Sequence, residues 1–257
     1  MVSSRSIAVV KKRLWVCFAV CLLIGIGLRC TNVAHKVYWH DEVFTSIRVV
    51  GYRGETIAER LAQSTVVSAS ELQALQTFPE IKRWSDTWSA LRGHPEHPPL
   101  FYLLERLWVG AFQPSVTSFR ALAVVFGLGL LPLTYWMSQQ LWRDRWTSLI
   151  ATSLMALSPV QLLYAQEARP YSLWACLILL SNGCLLQAMR SSWRYSSEAM
   201  VVRSPQGIAL RQWGLYGLSL GLMLYTTLLS VLVVAAHSLY VLISGSRQQW
   251  QRWGLAF

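Results

Sequence analysis

Lys11 to Leu28 reads KKRLWVCFAVCLLIGIGL, three cations followed by a run with no charged side chain. A helix needs roughly 20 mainly apolar residues to cross the hydrocarbon core, and continuing this run to Ala34 reaches that length. Residues 14–34 are therefore read as a first transmembrane helix. A basic start before an apolar run is also the pattern of a secretory signal, but no small-residue cleavage site follows, so the stretch predicts a retained signal anchor. Excess Lys and Arg stay on the cytoplasmic side, which places residues 1–13 inside and the chain from about His35 outside.

Further apolar runs continue the pattern. Phe119–Trp142, Trp146–Tyr164, Tyr171–Met189, Trp213–Leu229 and Ser230–Ile243 are read as additional spans, the last two dividing one long run. The chain is 54% hydrophobic and only 14% charged, with a mean hydropathy of +0.36, more apolar than a soluble domain requires. Its 13 Trp and 10 Tyr residues suit the boundary between lipid and water, where amphipathic rings collect. The expected fold is an all-α integral membrane protein, multi-pass in the plasma (inner) membrane.

Charge placement orders the segments. Arg143 and Arg145, then Arg190, Arg194, Arg203 and Arg211, then Arg247 and Arg252, all belong inside, so an even number of crossings must precede each cluster. Pro99–Gln113 is short and carries Glu105 and Arg106 at its middle. Counting it as a span would invert the parity, so it predicts an amphipathic helix at the outer interface with its polar pair facing water or a cavity. The organisation is then a cytoplasmic N-terminus over 1–13, the first helix over 14–34, and an outer loop with juxtamembrane helices over 35–118. A transmembrane bundle covers 119–246, and 247–257 holds a cytoplasmic segment and the start of a further span, as in an N-terminal fragment. Nine of the twelve acidic residues fall between Asp41 and Glu105, and Thr56–Gln76 has helical spacing with a capping box at Thr56 and Glu59.

The net charge of +11 does not imply nucleic acid, because these cations punctuate apolar runs instead of covering one wet face. Cys17, Cys21, Cys30, Cys176 and Cys184 form no C-x-x-C pair and are read as packing residues.

Three clusters could carry chemistry, and all fall on the outer side. In Tyr38-Trp39-His40-Asp41-Glu42 a carboxylate beside aromatic rings could act as general base, or Asp41 could cap a helix from Glu42 to about Val50. His94-Pro95-Glu96-His97-Pro98-Pro99-Leu100 is a stiff hinge that starts a helix well. It would hold His97 near the membrane surface to meet a phosphate, or a metal with Glu96 or Asp41. In Tyr164-Ala165-Gln166-Glu167-Ala168-Arg169-Pro170-Tyr171, Glu167 and Arg169 form a structural ion pair or face a wet cavity, where the Arg169 guanidinium suits a phosphate.

This ordered set resembles the large membrane glycosyltransferases of the GT-C fold. It is Asp41-Glu42 after the first span, His97-Pro98-Pro99-Leu100 opening a helix, a basic turn at Arg143–Arg145, Ser158-Pro159, and Tyr164–Leu173. The set is most similar to glycosyltransferase family 39, the protein O-mannosyltransferases and the bacterial aminoarabinose-transferase-like group. The resemblance implies a GT-C-like bundle and a polyprenyl-phosphate-linked sugar donor. It also implies a lipid, glycan or protein acceptor whose hydroxyl attacks with inversion. Asp41 is then the base with Glu42 its neighbour, and His97, Glu167 and Arg169 bind substrate. No cofactor is required, although a divalent metal would be compatible. Members of that group usually carry more spans, and many add a soluble outer domain. The competing classes are a transporter, which would place polar groups on broken helices near the midplane, a noncatalytic lipid-binding membrane protein, or an inactive glycosyltransferase fragment.

Overall fold

The computed structural model describes residues 4–53, 59, 62–63, 66–70, 81–197 and 206–255. Those residues form helices and connecting turns, with no strand among them. In chain order the helices are α1 (Ser4–Cys30), α2 (His40–Val49), α3 (Trp84–Arg92), α4 (Leu100–Phe112), α5 (Val116–Trp142) and α6 (Arg145–Leu157). They continue as α7 (Pro159–Ala165), α8 (Tyr171–Ser197), α9 (Gln206–Leu224), α10 (Ser230–Ser244) and α11 (Arg247–Gly254). The expected helix over Thr56–Gln76 lies for the most part outside the described residues.

Three stretches are long and apolar enough to cross a membrane, Lys11–Cys30, Val116–Trp142 and Tyr171–Ser191. A fourth appears if α6 and α7, bent by 58° at their junction, count as one crossing. Of the six crossings expected from the sequence, those at Leu14–Ala34, Phe119–Trp142 and Tyr171–Met189 correspond to these three stretches, and Trp146–Tyr164 to the bent pair. α10 is apolar but only 15 residues long, about 22 Å at 1.5 Å per residue against a core of roughly 30 Å. α9 starts at Gln206, ahead of the expected Trp213, and stands outside that set as well. Of the expected start of a further span at Trp253–Phe257, Trp253 and Gly254 lie in the last turn of α11, where Trp253 Nε1 donates to the Tyr216 hydroxyl at 3.3 Å.

The helices alternate between two ends of the bundle. At one end, Gln166 Nε2 donates to the α1 carbonyls of Leu28 (2.7 Å) and Arg29 (3.2 Å) and to Thr31 O (2.8 Å), while Leu100 N donates to Tyr225 O at 2.9 Å. At the other, Arg190 donates to Gln140 O, and Gln249 Nε2 reaches Met189 O at 2.9 Å. Between them α5, α8 and α9 enclose a core that includes Leu122, Leu177, Leu185, Tyr216, Leu220 and Met223.

The break between α6 and α7 has a covalent cause. Pro159 has no N–H, so the Met155 carbonyl one turn earlier cannot receive its helical bond. In hydrocarbon an unpaired carbonyl costs several kcal/mol. Arg29 of α1, fully buried, supplies the missing donors. Its Nη2 reaches Met155 O at 3.1 Å and its Nη1 reaches Ala156 O at 2.6 Å, with Gly25 O accepting at 2.9 Å. Gly25 is what permits the approach, since a Cβ there would sit 2.6 Å from Ala156 O. Gly127 does the same against α7, where a Cβ would meet Ala165 Cβ at 2.5 Å.

Pro98 and Pro99 do place a helix, with Leu103 N bonding Pro99 O at 3.0 Å. The expected exposure of Glu105 and Arg106 is corrected: both are buried, Glu105 completely. α4 packs between α2 and α5, so its polar pair faces protein. Arg106 donates to Lys82 O and lies over the Trp84 ring, 5.1 Å from its centroid.

Arg29→Met keeps the side chain's bulk and strips two carbonyls of their partners, each worth about 1–3 kcal/mol when left unsatisfied. Thermal unfolding of the detergent-solubilised protein should shift several degrees downward, whereas Arg13→Met, at an exposed position of the same helix, should leave it in place.

Candidate functional site

α2 presents two faces to its surroundings. Glu42, Ser46 and Val49, spaced i, i+4, i+7, are all buried; Asp41, Thr45 and Arg48 repeat that spacing one residue earlier and so line an adjacent face. The two faces do different things.

The Glu42 face is an anchor. Both carboxylate oxygens meet Arg120 of α5, Oε1 to Nε and Oε2 to Nη2, each at 2.8 Å. Ala168 N donates to Oε1 at 2.8 Å and Trp39 N to Oε2 at 3.4 Å. Arg120 spends its remaining donors on the carbonyls of Val33 (2.7 Å), Lys36 (3.1 Å) and Val37 (2.9 Å). One buried pair thereby joins the end of α1, the start of α2, α5 and the α7–α8 loop. With every lone pair occupied and no exposure, Glu42 is withdrawn from the catalytic role expected of it and positions its neighbour instead. The capping alternative for Asp41 is corrected as well. Trp39 is the N-cap, Glu42 reaches back to its amide, and Asp41 lies in the first turn with its negative charge toward the helix N-terminus, a favourable location.

The other face carries the candidate site. Arg169 Nη2 lies 3.4 Å from Asp41 Oδ2, and its Nη1 is 3.4 Å from the Thr45 hydroxyl and 3.5 Å from Asp41 O. Asp41 is about one-third exposed and Arg169 one-tenth. Arg48, Arg169 and Tyr102 of α4 are buried; Arg48 Nε and Arg169 Nε have no hydrogen-bond partner among the described residues, while the Tyr102 hydroxyl lies against Arg48 and Thr45. Tyr102 feels both guanidiniums, and so does His97. Burial raises the Tyr102 hydroxyl above its ordinary value against the opposing pull of Arg169 and Arg48, so it stays protonated as a donor. Burial, then Arg48, pushes the His97 imidazole below its ordinary 6.5, outweighing the opposite pull of Glu96, and leaves it neutral at pH 7. Burial alone would lower Arg169 too, but Tyr171, Tyr102 and Asp41 more than compensate and hold it cationic. Unused donors around positive charge are suited to a multivalent anion such as a phosphate.

The sequence-derived candidates thus divide. Asp41, Arg169 and His97 come together around Arg48 and Tyr102. Glu167 shares the loop but belongs to the anchor's neighbourhood, where burial, then the Glu42 charge, pushes its carboxyl upward; its Oε2 is buried without a partner. No group of three His, Cys, Asp or Glu side chains among the described residues converges for a metal ion, so the option of His97 with Glu96 or Asp41 is not assembled. His97 instead lies 3.8 Å from Glu96, which also pairs with His94 at 3.0 Å.

Four residues escaped the sequence reading. Arg48 and Thr45 could have been found by continuing the helical spacing from Asp41, and Arg120 as a lone cation in an apolar helix. Tyr102 carries no such signal, because only packing brings α4 to α2. Glu105 is a related surprise: both of its oxygens are buried without a partner, and burial pushes its carboxyl well above the ordinary range, so it is a neutral acid in the core.

No family model matches the chain, and neither curated proteins nor solved structures yield a match.

Removing one member of a buried pair leaves the other charge uncompensated, at a cost of about 3–5 kcal/mol. Glu42→Gln should lower stability on that scale, and the double substitution Glu42→Leu with Arg120→Met should recover part of the loss; chemical denaturation of the solubilised protein measures both. The His97 ring should titrate below 6.5 and move upward in Arg48→Ala. Because its folded value is depressed, its contribution to stability is present above 6.5 and lost as the pH falls through the folded midpoint; NMR of labelled histidine follows the shift.

Proposed function

We propose that this chain is a membrane glycosyltransferase, or the site-bearing part of one, that moves a sugar from a polyprenyl-phosphate donor to an acceptor hydroxyl with inversion. The single observation that carries the reading is Asp41, partly exposed, held beside the buried guanidiniums of Arg169 and Arg48, whose Nε donors are unsatisfied, and the Tyr102 hydroxyl. A base and an anion-binding wall within one site are the two parts that such a transfer requires. The helices long and apolar enough to cross a membrane supply a second support, since a polyprenyl chain is soluble only there. The order of motifs along the chain is a third.

Asp41 takes the proton from the acceptor hydroxyl as that oxygen forms a bond to the anomeric carbon. The bond from that carbon to the phosphate oxygen breaks on the opposite face, and its electron pair leaves with the phosphate. Arg48, Arg169 and the Tyr102 hydroxyl meet the charge developing on the departing group, with neutral His97 able to donate one ring N–H. Arg169 must exchange its 3.4 Å contact with Asp41 for the phosphate, which frees the carboxylate as the donor binds. Glu42 and Arg120 hold Asp41 in register without touching substrate. Under this reading the site end faces the outer side of the plasma membrane, and the basic turn at Arg143–Arg145 faces the cytoplasm.

Purified membranes carrying the full-length protein should release sugar from polyprenyl-phosphate-linked donors, and Asp41→Asn should slow release by about 10²–10⁴-fold with unchanged thermal unfolding. Equal turnover by both proteins would remove Asp41 from the reaction.

A further inference from the structure

At the end of the bundle opposite the site, where Trp15 of α1 meets Trp146 of α6 with ring centroids 6.1 Å apart, α1, α5 and α6 enclose a groove of about 530 Å³. α1 contributes Trp15, Phe18, Leu22 and Ile26, spaced to form one stripe. α5 around Pro132 and α6 at Leu149 form the opposite wall. From Trp15 to Ile26 the helix rises about 16 Å, roughly half of a hydrocarbon core about 30 Å thick. The groove thus runs through one leaflet and ends near the midplane.

Its mouth is cationic. Lys11 and Lys12 precede Trp15 by four and three residues and so crown the same side of α1; both are exposed. The Arg145 guanidinium lies over the Trp15 ring, 4.3 Å from its centroid. The nearby acid, Asp144, is directed at Thr147, whose amide and hydroxyl donate to Oδ2 at 2.7 and 2.8 Å. Trp15, four residues after Lys11, adds a ring near the basic end, where such rings are favoured. A leaflet-length apolar slot beneath three cations matches a chain with a negative head. The volume lies within the range of about 300–1,000 Å³ typical of ligand pockets.

We propose that this groove binds one anionic glycerophospholipid of the leaflet at the basic end. An acyl chain lies along α1, and the phosphodiester rests among Lys11, Lys12 and Arg145. The site is separate from the Asp41 cluster and does not depend on the reaction assigned to it. The bound chain would fill the gap beside α1, whose Arg29 holds the broken α6–α7 pair.

The test is lipid retention by the full-length protein in detergent, titrated with phosphatidylglycerol or phosphatidylcholine of identical chains and read by native mass spectrometry. The wild type should retain one phosphatidylglycerol at least tenfold more tightly, since each basic side chain near an anionic headgroup contributes about fivefold. The combined Lys11→Gln, Lys12→Gln and Arg145→Gln protein should bring the two lipids near parity, and Leu22→Trp, which fills the slot, should weaken both. Should Leu22→Trp fail to fold, brominated-chain phosphatidylglycerol provides the second reading, with quenching of wild-type tryptophan fluorescence that is reduced in Trp15→Phe. Equal retention of both lipids by the wild type, an undiminished preference in the charge variant, or displacement of the phospholipid by an equal concentration of polyprenyl phosphate would overturn the proposal.

Discussion

The Glu42–Arg120 pair is the constraint on which the site end depends. Burying two charges costs several kcal/mol per ion, and their attraction offsets that only when all lone pairs and donors are satisfied. Here they are satisfied, and the partners that do so come from four separate pieces of chain. The condition for tolerating the charges is therefore also a geometric specification. The pair can exist only if the end of α1, the start of α2, the upper part of α5 and the loop before α8 meet in one arrangement.

Asp41 inherits its position from that arrangement. As the residue before Glu42 on a helix, it points about 100° away, out of the saturated pair and toward Arg169, which sits one residue after Ala168. The anchor and the site are thus offset by one residue on both strands of the contact. The saturated side gives rigidity, and the unsaturated side keeps idle Nε donors on Arg48 and Arg169. A buried donor without a partner costs free energy, and functional sites are where such a cost is commonly carried.

A second arginine performs a related task in a less polar place. Arg29 answers carbonyls that Pro159 leaves open, and through it α1 is fastened to a helix pair bent by 58°. The fastening is local to one end of α1. Toward Trp15 the helix meets α6 at Trp146 and Arg145, and the space enclosed with α5 is apolar along its length and cationic at its mouth. One helix is accordingly held by hydrogen bonds at one end and leaves a lipid-sized gap at the other.

Much of the architecture was legible in the residues themselves. The run from Leu14, the apolar stretches at Phe119–Trp142 and Tyr171–Met189, and the proline hinge before α4 follow from local composition and from proline's missing N–H, so they need no knowledge of neighbours. The number of crossings was less legible, because α9 and α10 are apolar segments whose lengths are set by where their turns fall. Glu105 and Arg106 were misplaced for a related reason: periodicity shows that a helix has a polar patch but not which surface covers it. Likewise, Asp41 and Glu42 are adjacent carboxylates with indistinguishable sequence contexts. Only the approach of Arg120 from 78 residues away made one an anchor and left the other beside Arg169. Local sequence determined helices, breaks and the charge at each end, since these depend on backbone chemistry and partition into lipid. Tertiary structure decided which charged groups are saturated and which remain free, because hydrogen-bond satisfaction belongs to the whole set of chains that meet at a point.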